Sequence, residues 1–158
     1  MSISIRKYNK QDKQECLEAF KCNVPLYFTE DEIGDFEIFL QKIESLNAVD
    51  ANIKTYYFVI IFEEKIIGCG GFGDKDGKDI ISLAWGFIHK NYHKKGFGKE
   101  LLVYRLKQIE QLYPNLPVVI DTTQFSFEFF IRFGFSTTKI TKDYYAKGLD
   151  RYDMILNK

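Results

Sequence analysis

The chain has 158 residues, of which 46% are hydrophobic and 16% are aromatic. This apolar content excludes a disordered chain, and the length fits one ordinary domain. Lys and Arg total 22 and Asp and Glu total 22, so the formal net charge is zero, whereas a general nucleic-acid binder needs a basic excess.

The cysteine pattern excludes the common zinc and redox motifs. Cys16, Cys22 and Cys69 include no C-x-x-C pair, so the usual metal-binding spacing is missing. The sequence also contains no apolar run as long as a signal peptide or a membrane span. We therefore expect a soluble cytoplasmic protein with reduced thiols, no bound metal and no membrane association.

The first part of the chain predicts one strand followed by two helices. Residues 2–7 alternate like an edge strand, and residues 12–20 have the apolar spacing of a helix. Thr29 is a candidate N-cap, because Glu32 stands three residues later and completes a capping box. A second helix is expected to follow through Ile43.

Three consecutive strands are predicted next. Residues 56–62, 66–72 and 80–88 are rich in β-branched and aromatic residues. Polar turns separate them at residues 63–64 and at Asp76-Gly77, and the second of these is a typical hairpin signal. The three strands are therefore expected to form an antiparallel meander.

The rest of the chain predicts a long helix, a short buried strand, an aromatic-rich helix and two closing strands. These elements cover residues 96–112, 118–121, 126–133, 135–146 and 151–156. The complete order is β-α-α-β-β-β-α-β-α-β-β, without a linker that would divide it. This order predicts a single domain over residues 1–158, of the α/β or α+β class, with a mixed sheet and helices on both faces.

A formal match to the dinucleotide-binding fingerprint occurs at Gly68, Gly70 and Gly73. That motif works only where its last glycine opens a helix that receives a pyrophosphate. A polar turn and another strand follow here, so we interpret the glycines as part of a strand with a bulge or a close backbone approach. A nucleotide-binding oxidoreductase is thus a distant alternative.

A second glycine-rich segment directly precedes the long helix. It consists of His93, Lys94, Lys95, Gly96, Phe97, Gly98 and Lys99. Glycines expose successive backbone N–H groups, the helix N-terminus is electropositive, and the lysines add full charges. The segment can cradle a pyrophosphate, although a plain strand-to-helix loop with solvated lysines fits the motif equally well.

Two segments resemble the GNAT N-acetyltransferase family. Residues 80–102 are similar to its acetyl-CoA-binding core, in which Gln or Arg-x-x-Gly-x-Gly or Ala follows a strand. Residues 123–135, TQFSFEFFIRFGF, resemble its late helix, which ends in Gly-Phe. The predicted element order also fits the GNAT fold, so the resemblance covers nearly the whole chain.

The resemblance implies an acetyl-CoA-dependent N-acetyltransferase. Acetyl-CoA would bind in a V-shaped opening between the strand that ends at Ile88 and the strand at residues 118–121. Main-chain groups of Phe87 and Ile88 would pair with the pantetheine arm, and an N–H near Ile88 would polarise the thioester carbonyl. The amides of residues 94–98 would hold the pyrophosphate. The opposite side of the cofactor would be lined by Thr123, Ser126 and Phe129.

Several positions depart from the family pattern, and three of them bear on the cofactor or on catalysis. His93 stands where Gln or Arg is usual, and it can still donate a hydrogen bond. Phe130 replaces a Tyr that protonates the leaving thiolate in many members, and Ser82 replaces a Glu that is the general base in some. Tyr145 is a substitute acid candidate, with packing of a strand aromatic as the alternative. A catalytically impaired acyl-CoA-binding module, with a regulatory or interaction role, is therefore the second hypothesis.

The acceptor site is expected near the loop between the first two helices, which helps to form it in the GNAT pattern. Tyr27 and Phe28 could form its walls, and Glu30 and Glu32 could attract a cationic amine, unless these acids only compensate the helix dipole. Trp85 could face the acceptor or fill the core, and the core is the expected place. The expected acceptor is a small-molecule or peptide amine, and the protein is expected to be a monomer or a homodimer.

The zero net charge is the sum of two opposite segments. Residues 89–99 hold four lysines, two histidines and no acid, whereas residues 23–40 hold five acids and no Lys or Arg. The first segment suits an anionic cofactor, and the second suits a cationic acceptor.

Overall fold

The structure is a computed structural model, and it describes residues 2–46, 55–75 and 77–158. The strands are β1 (Ile3–Lys7), β2 (Thr55–Phe62), β3 (Lys65–Asp74), β4 (Ile81–Ile88), β5 (Val118–Thr122), β6 (Phe135–Ala146) and β7 (Leu149–Leu156). The α-helices are α1 (Lys13–Lys21), α2 (Asp31–Leu46), α3 (Phe97–Leu112) and α4 (Phe127–Ile131). This order confirms the predicted one.

The strands form one mixed sheet with the order β1-β2-β3-β4-β5-β7-β6. β2 to β4 form the predicted antiparallel meander, and β1 pairs with β2 at its edge. β4 and β5 are parallel neighbours, because α3 crosses between them. They pair through Ile81 with Val118 and Ser82 with Val119, so the two strands diverge beyond Ser82 and leave a V-shaped opening.

Helices cover both faces of the sheet, and each face has its own apolar core. One core lies under α1 and α2 and includes Phe20, Phe36, Leu40, Tyr57 and Phe87. The other lies under α3 and α4 and includes Phe72, Leu83, Leu102, Ile109 and Phe130. Burial of each such apolar side chain contributes about 1.5–3 kcal/mol to folding, so β4 is held firmly from both sides. Within the described ranges, no helix has the length and apolar content needed to cross a membrane.

The glycines of the apparent dinucleotide fingerprint, Gly68, Gly70 and Gly73, lie inside β3. A Cβ atom at Gly68 would come within 2.5 Å of the Phe87 carbonyl oxygen, so the close approach of β4 requires glycine there. The register between β3 and β4 then shifts, and Trp85 in this region has a positive φ of 45°. The interpretation as a bulged glycine-rich strand is confirmed, because a strand and no helix follows.

Several element boundaries differ from the predicted ones by one or two residues, and two of these differences are explained by a glycine with a positive φ. α4 ends at Ile131 instead of residue 133, because Gly134, with a φ of +94°, turns the chain into β6. β7 begins at Leu149 instead of residue 151, because Gly148, with a φ of +81°, makes a tight turn into it. Asp76 of the predicted hairpin signal lies outside the described residues.

Candidate active site

The V-shaped opening between β4 and β5 leads into a cavity of about 1340 Å³. Both diverging strands line it, together with the α1–α2 loop, the start of α3 and the segment around α4. Lys94 and Lys99 line the part of the cavity next to α3, whereas Glu32 and Asp121 line the part formed by α2 and β5. Arg151 also lines the cavity, with its Nη2 4.0 Å from Asp121 Oδ1. The carboxylates outnumber this one cation, so the cavity joins a basic region to a predominantly acidic one.

The end of β4 presents main-chain groups to this opening. The His89 N–H donates to the Ile67 carbonyl oxygen at 2.7 Å, which makes Ile88 a non-hydrogen-bonded position of the ladder, so its N–H and C=O point away from β3. The Ile88 carbonyl oxygen accepts hydrogen bonds from Asn23 Nδ2 at 3.0 Å and from His93 Nε2 at 2.6 Å. The N–H is therefore the group that Ile88 offers to a ligand.

The two side chains that donate to the Ile88 carbonyl oxygen, those of His93 and Asn23, have roles that the sequence did not predict. The Nε2 donor of His93, which we expected to contact the cofactor, is used within the protein, although His93 also lines the cavity. Asn23 is buried, and its Nδ2 also donates to the Ala19 carbonyl oxygen at 2.9 Å. Asn23 thus ties the end of α1 to β4. An asparagine just after a helix gives no sequence signal of such a role.

The glycine-rich segment forms a tight entry into α3. Gly96 is the N-cap residue and has a left-handed φ of 87°, and the amides of the first helical turn have no partner within the helix. The residues of this segment that line the cavity are His93, Lys94, Gly96, Gly98 and Lys99. The segment therefore directs unpaired donors and positive charge to one place.

Two residues of the predicted cofactor loop have side chains that lie elsewhere. The Phe97 ring is buried in the core, where its centroid lies 4.9 Å from that of Phe62. Lys95 is outside the cavity lining, with its Nζ 5.7 Å from the Tyr92 ring centroid. Phe97 therefore has only its main-chain amide available for a ligand, and the exposed Lys95 side chain lies outside the cavity.

The structure brings Thr123, Ser126 and Phe129 together on the opposite wall of the cavity. Thr123 is buried, and its Oγ1 accepts a hydrogen bond from the Phe125 N–H at 3.3 Å. Arg132 lies on the same wall, with its guanidinium carbon 5.9 Å from the Phe129 ring centroid. Arg132 is a further positive charge that the sequence analysis missed. The sequence did contain a signal for it, because Arg132 follows Phe129 by three residues, or about one helical turn, and so lies on the same side of the helix.

Aromatic side chains of the α1–α2 loop connect the two walls. The Tyr27 ring centroid lies 5.5 Å from that of His93 and 6.1 Å from that of Phe125. Phe28 lines the cavity and stacks on the buried Phe20 ring, with 4.4 Å between centroids. Tyr27 is thus a wall of the opening, and Phe28 anchors that wall to the core.

Glu32 has a capping role and also lines the cavity. Its Oε1 accepts hydrogen bonds from the Thr29 N–H at 3.0 Å and the Thr29 hydroxyl at 3.2 Å, which is one half of the predicted capping box. α2 begins at Asp31, so Thr29 lies one residue before the N-cap position. Burial raises the pKa of Glu32, the Thr29 bonds oppose this shift, and the charges of Asp35 and Asp121 add to it. Glu30, by contrast, is exposed and outside the cavity lining, so the structure does not bring it to the site.

Tyr145 of β6 lines the acidic part of the cavity and reaches over β7 to β5. Its hydroxyl donates to Asp121 Oδ2 at 2.5 Å. Burial, and then the charge of Asp121, raise the pKa of Tyr145 well above its ordinary value. Tyr145 therefore keeps its proton at neutral pH and is a weak acid. Asp121, which the sequence marked only as the end of a strand, is a second carboxylate of the site.

Three further residues of the lining limit the available proton chemistry. Ser82 Oγ donates to the Leu83 carbonyl oxygen at 3.3 Å, and Phe130 is buried with its ring 5.7 Å from that of Phe135. Trp85, expected in the core, packs against the core under α1 and α2 and also lines the cavity.

Among the described residues, no group of three or more His, Cys, Asp or Glu side chains lies close enough together to hold a metal ion.

A buried arginine lines the cavity from the α3 side. Arg105 is 4% exposed, and its Nη1 donates to the Gly71 carbonyl oxygen at 3.2 Å. Burial lowers the pKa of Arg105 to about 10, so the guanidinium is still protonated at neutral pH. The apolar spacing of α3 gave no signal of this residue.

Comparison with known families gives a match over most of the chain. A family model described as an acetyltransferase (GNAT) domain matches residues 24–158. None of the curated proteins that were compared with the chain by sequence is a match.

Solved structures share the fold at low sequence identity. A protein of the GNAT family from Desulfovibrio desulfuricans is 16% identical, with a TM-score of 0.80 over 99% of each chain. The paia N-acetyltransferase from Thermoplasma acidophilum, solved with coenzyme A, is 19% identical, with a TM-score of 0.71 over 100% of each chain. YncA from Salmonella typhimurium, solved with acetyl-CoA, is 17% identical, with a TM-score of 0.76 over 99% of this chain and 94% of its own. The mixed-sheet fold is common to all of them.

Proposed function

Since the chain belongs to the GNAT acetyltransferase family, we propose that it transfers the acetyl group of acetyl-CoA to a primary amine by direct attack of that amine. The observation that carries this proposal is the cavity between β4 and β5, which joins the start of α3 to the acids of α2 and β5. A basic end suits an anionic cofactor, and an acidic end suits a protonated amine.

The start of α3 fits a pyrophosphate. Unpaired amides of the first turn, the side chains of Lys94 and Lys99, and Arg132 on the facing wall supply donors and positive charge. A Cβ atom at Gly98 would lie 3.8 Å from the Phe129 ring, so glycine leaves the space between helix and wall open. The coenzyme A and acetyl-CoA held by the Thermoplasma and Salmonella proteins support the same ligand class here.

The diverging part of β4 is the proposed seat of the pantetheine arm, through the main chain of Ile88. The Phe87 carbonyl, which the sequence analysis also assigned to the arm, points at β3, where a Cβ atom at Gly68 would meet it at 2.5 Å. The Ile88 carbonyl already has two donors, so we assign the Ile88 N–H to the ligand, where it polarises the thioester carbonyl. Acetyl-CoA supplies an acyl group that is already activated as a thioester. The facing wall of the arm is formed by Thr123, Ser126 and Phe129.

The acidic end is the proposed acceptor site. Glu32, Asp35 and Asp121 line it, and their mutual repulsion contributes to the raised pKa of Glu32. A carboxylate with a raised pKa takes up a proton more readily than an ordinary one, so Glu32 is the proposed general base. Tyr145 holds Asp121 through its hydroxyl. The acceptor class that fits this end is a cationic primary amine, either a small molecule or a peptide.

A second candidate function is an acyl-CoA-binding module that has lost catalysis. Phe130 and Ser82 favour it, because neither can replace the acid and base that other GNAT proteins have at these positions. An enzyme without a positioned acid or base loses a factor on the order of 10²–10⁴ in rate and keeps the remainder of its rate acceleration. Catalysis is therefore still possible, and the enzyme is the first proposal.

The two candidates are separated by an amine panel scored by release of free thiol from acetyl-CoA. Diamines, polyamines, amino acids, aminoglycosides and lysine peptides are compared, with binding of coenzyme A measured by calorimetry and NAD as a control ligand. We expect turnover to be fastest for amines that carry a second positive charge. Tight binding of coenzyme A without turnover of any amine would establish the module instead, and binding of NAD alone would refute both.

A further inference from the structure

The guanidinium of Arg105 sits against the main chain of β3 and β4 at two glycines. Its carbon Cζ lies 3.1 Å from the position that a Cβ atom would have at Gly70, and also 3.1 Å from that at Gly86. A Cβ atom at Gly86 would meet Nη2 at 2.7 Å. The absence of side chains at both positions therefore creates the seat in which the guanidinium lies.

Arg105 is a buried cation without an acid partner among the residues that the structure describes. Nη1 has the Gly71 carbonyl oxygen, but Nε is buried and has no hydrogen-bond acceptor. No ion pair to Arg105 occurs in the described part of the chain. An unpaired buried charge is costly, and an apolar side chain of the same length would fill the space at a lower cost. Packing alone thus gives no reason for an arginine here.

Arg105 lies along α3 at the level where the thioester end of the proposed acetyl-CoA would lie. Arg105 lies seven residues after Gly98, which is about 10 Å further along α3 than the phosphate cradle. Gly86, against which it packs, lies two residues before Ile88, whose main chain is assigned to the pantetheine arm. Arg105 also lines the cavity, and Phe130 leaves the usual place of a proton donor apolar.

On the premise that acetyl-CoA binds along β4, we propose that the Arg105 guanidinium stabilises the negative charge on the CoA sulfur as the thioester breaks. The amine nitrogen forms a bond to the carbonyl carbon, and the carbon–sulfur bond breaks with its electron pair remaining on sulfur. The proton of the amine goes to the carboxylate base or to water. Arg105 keeps its own proton, because its pKa of about 10 is above neutral pH, so it acts by charge and not as an acid.

The proposal is tested on coenzyme A alone, whose free thiol is followed by the ultraviolet absorbance of its thiolate as the pH is raised. An ordinary thiol has a pKa of about 8.5, and an adjacent cation lowers it by about one unit or more. We expect this shift for coenzyme A bound to the unchanged protein and to the Lys107→Met variant, whose altered residue is on the exposed side of α3. The Arg105→Met variant is expected to return the bound thiol to its ordinary pKa, which is about a tenfold loss of thiolate below that pKa.

Urea unfolding and steady-state turnover separate an effect on the thiol from an effect on folding or on cofactor binding. Arg105→Met is expected to unfold in urea at an equal or higher concentration, because it removes an unpaired buried charge, and Arg105→Gln gives the same thiol readout if the methionine variant does not fold. In turnover, kcat is expected to fall while the KM for acetyl-CoA stays nearly constant. A bound thiol whose pKa is the same with and without Arg105 would overturn this inference. Failure of the unchanged protein to bind coenzyme A would instead refute the proposed function.

Discussion

The Tyr145 hydroxyl donates to Asp121 Oδ2 at 2.5 Å, across the strand that separates β6 from β5. This hydrogen bond holds a carboxylate at the acidic end of the cavity. Burial and the Asp121 charge raise the pKa of the phenol, so the phenol is a hydrogen-bond donor at neutral pH. We therefore regard Tyr145 as a positioning residue for Asp121.

Replacing Tyr145 by Phe tests this assignment. The variant is expected to lose no more than about tenfold in kcat/KM, because it removes one hydrogen bond and no effective acid. Steady-state release of free thiol from acetyl-CoA measures the loss. The control is Tyr104→Phe, since Tyr104 lies on α3 and outside the cavity lining. A loss of about 10²–10⁴ for Tyr145→Phe would show that Tyr145 is the acid after all.

The pH dependence of kcat/KM tests Glu32 as the base. A base works in its deprotonated form, so activity is expected to fall as the pH drops through the pKa of Glu32. Burial raises that pKa, and the acidic limb is therefore expected above the ordinary Glu value of about 4.3. Glu32→Gln is expected to lose the acidic limb and to be slower by a factor on the order of 10²–10⁴. The Glu30→Gln variant, altered at an exposed position, is expected to retain the limb and the rate. An unchanged limb in Glu32→Gln would assign the base to another group.

Gly98→Glu tests the phosphate cradle. A Cβ atom at Gly98 would make ordinary contacts, at 3.8 Å to Phe129 and 3.9 Å to Ile88, so the fold is expected to tolerate the change. The carboxylate would occupy the opening at the α3 N-terminus and repel the pyrophosphate, and calorimetry is expected to detect no binding of coenzyme A. Gly34→Glu is the matched control, because a Cβ atom there has no neighbour within 4 Å. Retained binding in Gly98→Glu would mean that the cradle lies elsewhere.

Asn23→Ala tests how the end of β4 is held. The change removes the hydrogen bonds from Asn23 to the Ala19 and Ile88 carbonyl oxygens, and a buried polar group without a partner costs about 1–3 kcal/mol. We expect a loss of that size in the free energy of unfolding, measured by urea denaturation, and weaker binding of coenzyme A. Asn91→Ala, at an exposed position, provides the reference. Equal stabilities of the two variants would refute the role of Asn23.

Local sequence signals predicted most of the fold. The periodicity of residues 80–88 and the glycine-rich entry to α3 describe neighbours along the chain, and both elements form where they were expected. The end of α4 was misjudged, because the turn at Gly134 begins before the last apolar residue of the helical pattern. Trp85 packs against the core as expected and also lines the cavity, because an apolar residue in a strand fits a core and a cavity wall equally well.

The sequence by itself determined the order of the elements, the two faces of the sheet and a basic loop before α3, because these follow from periodicity and composition within short windows. Only the tertiary structure decided which side chains meet. Asn23 and Ile88 are 65 positions apart, Arg105 and Gly71 are 34 apart, and Tyr145 and Asp121 are 24 apart. The pKa values of Arg105 and Tyr145 depend on burial and on charges from other strands and helices, and those surroundings exist only after the chain has folded.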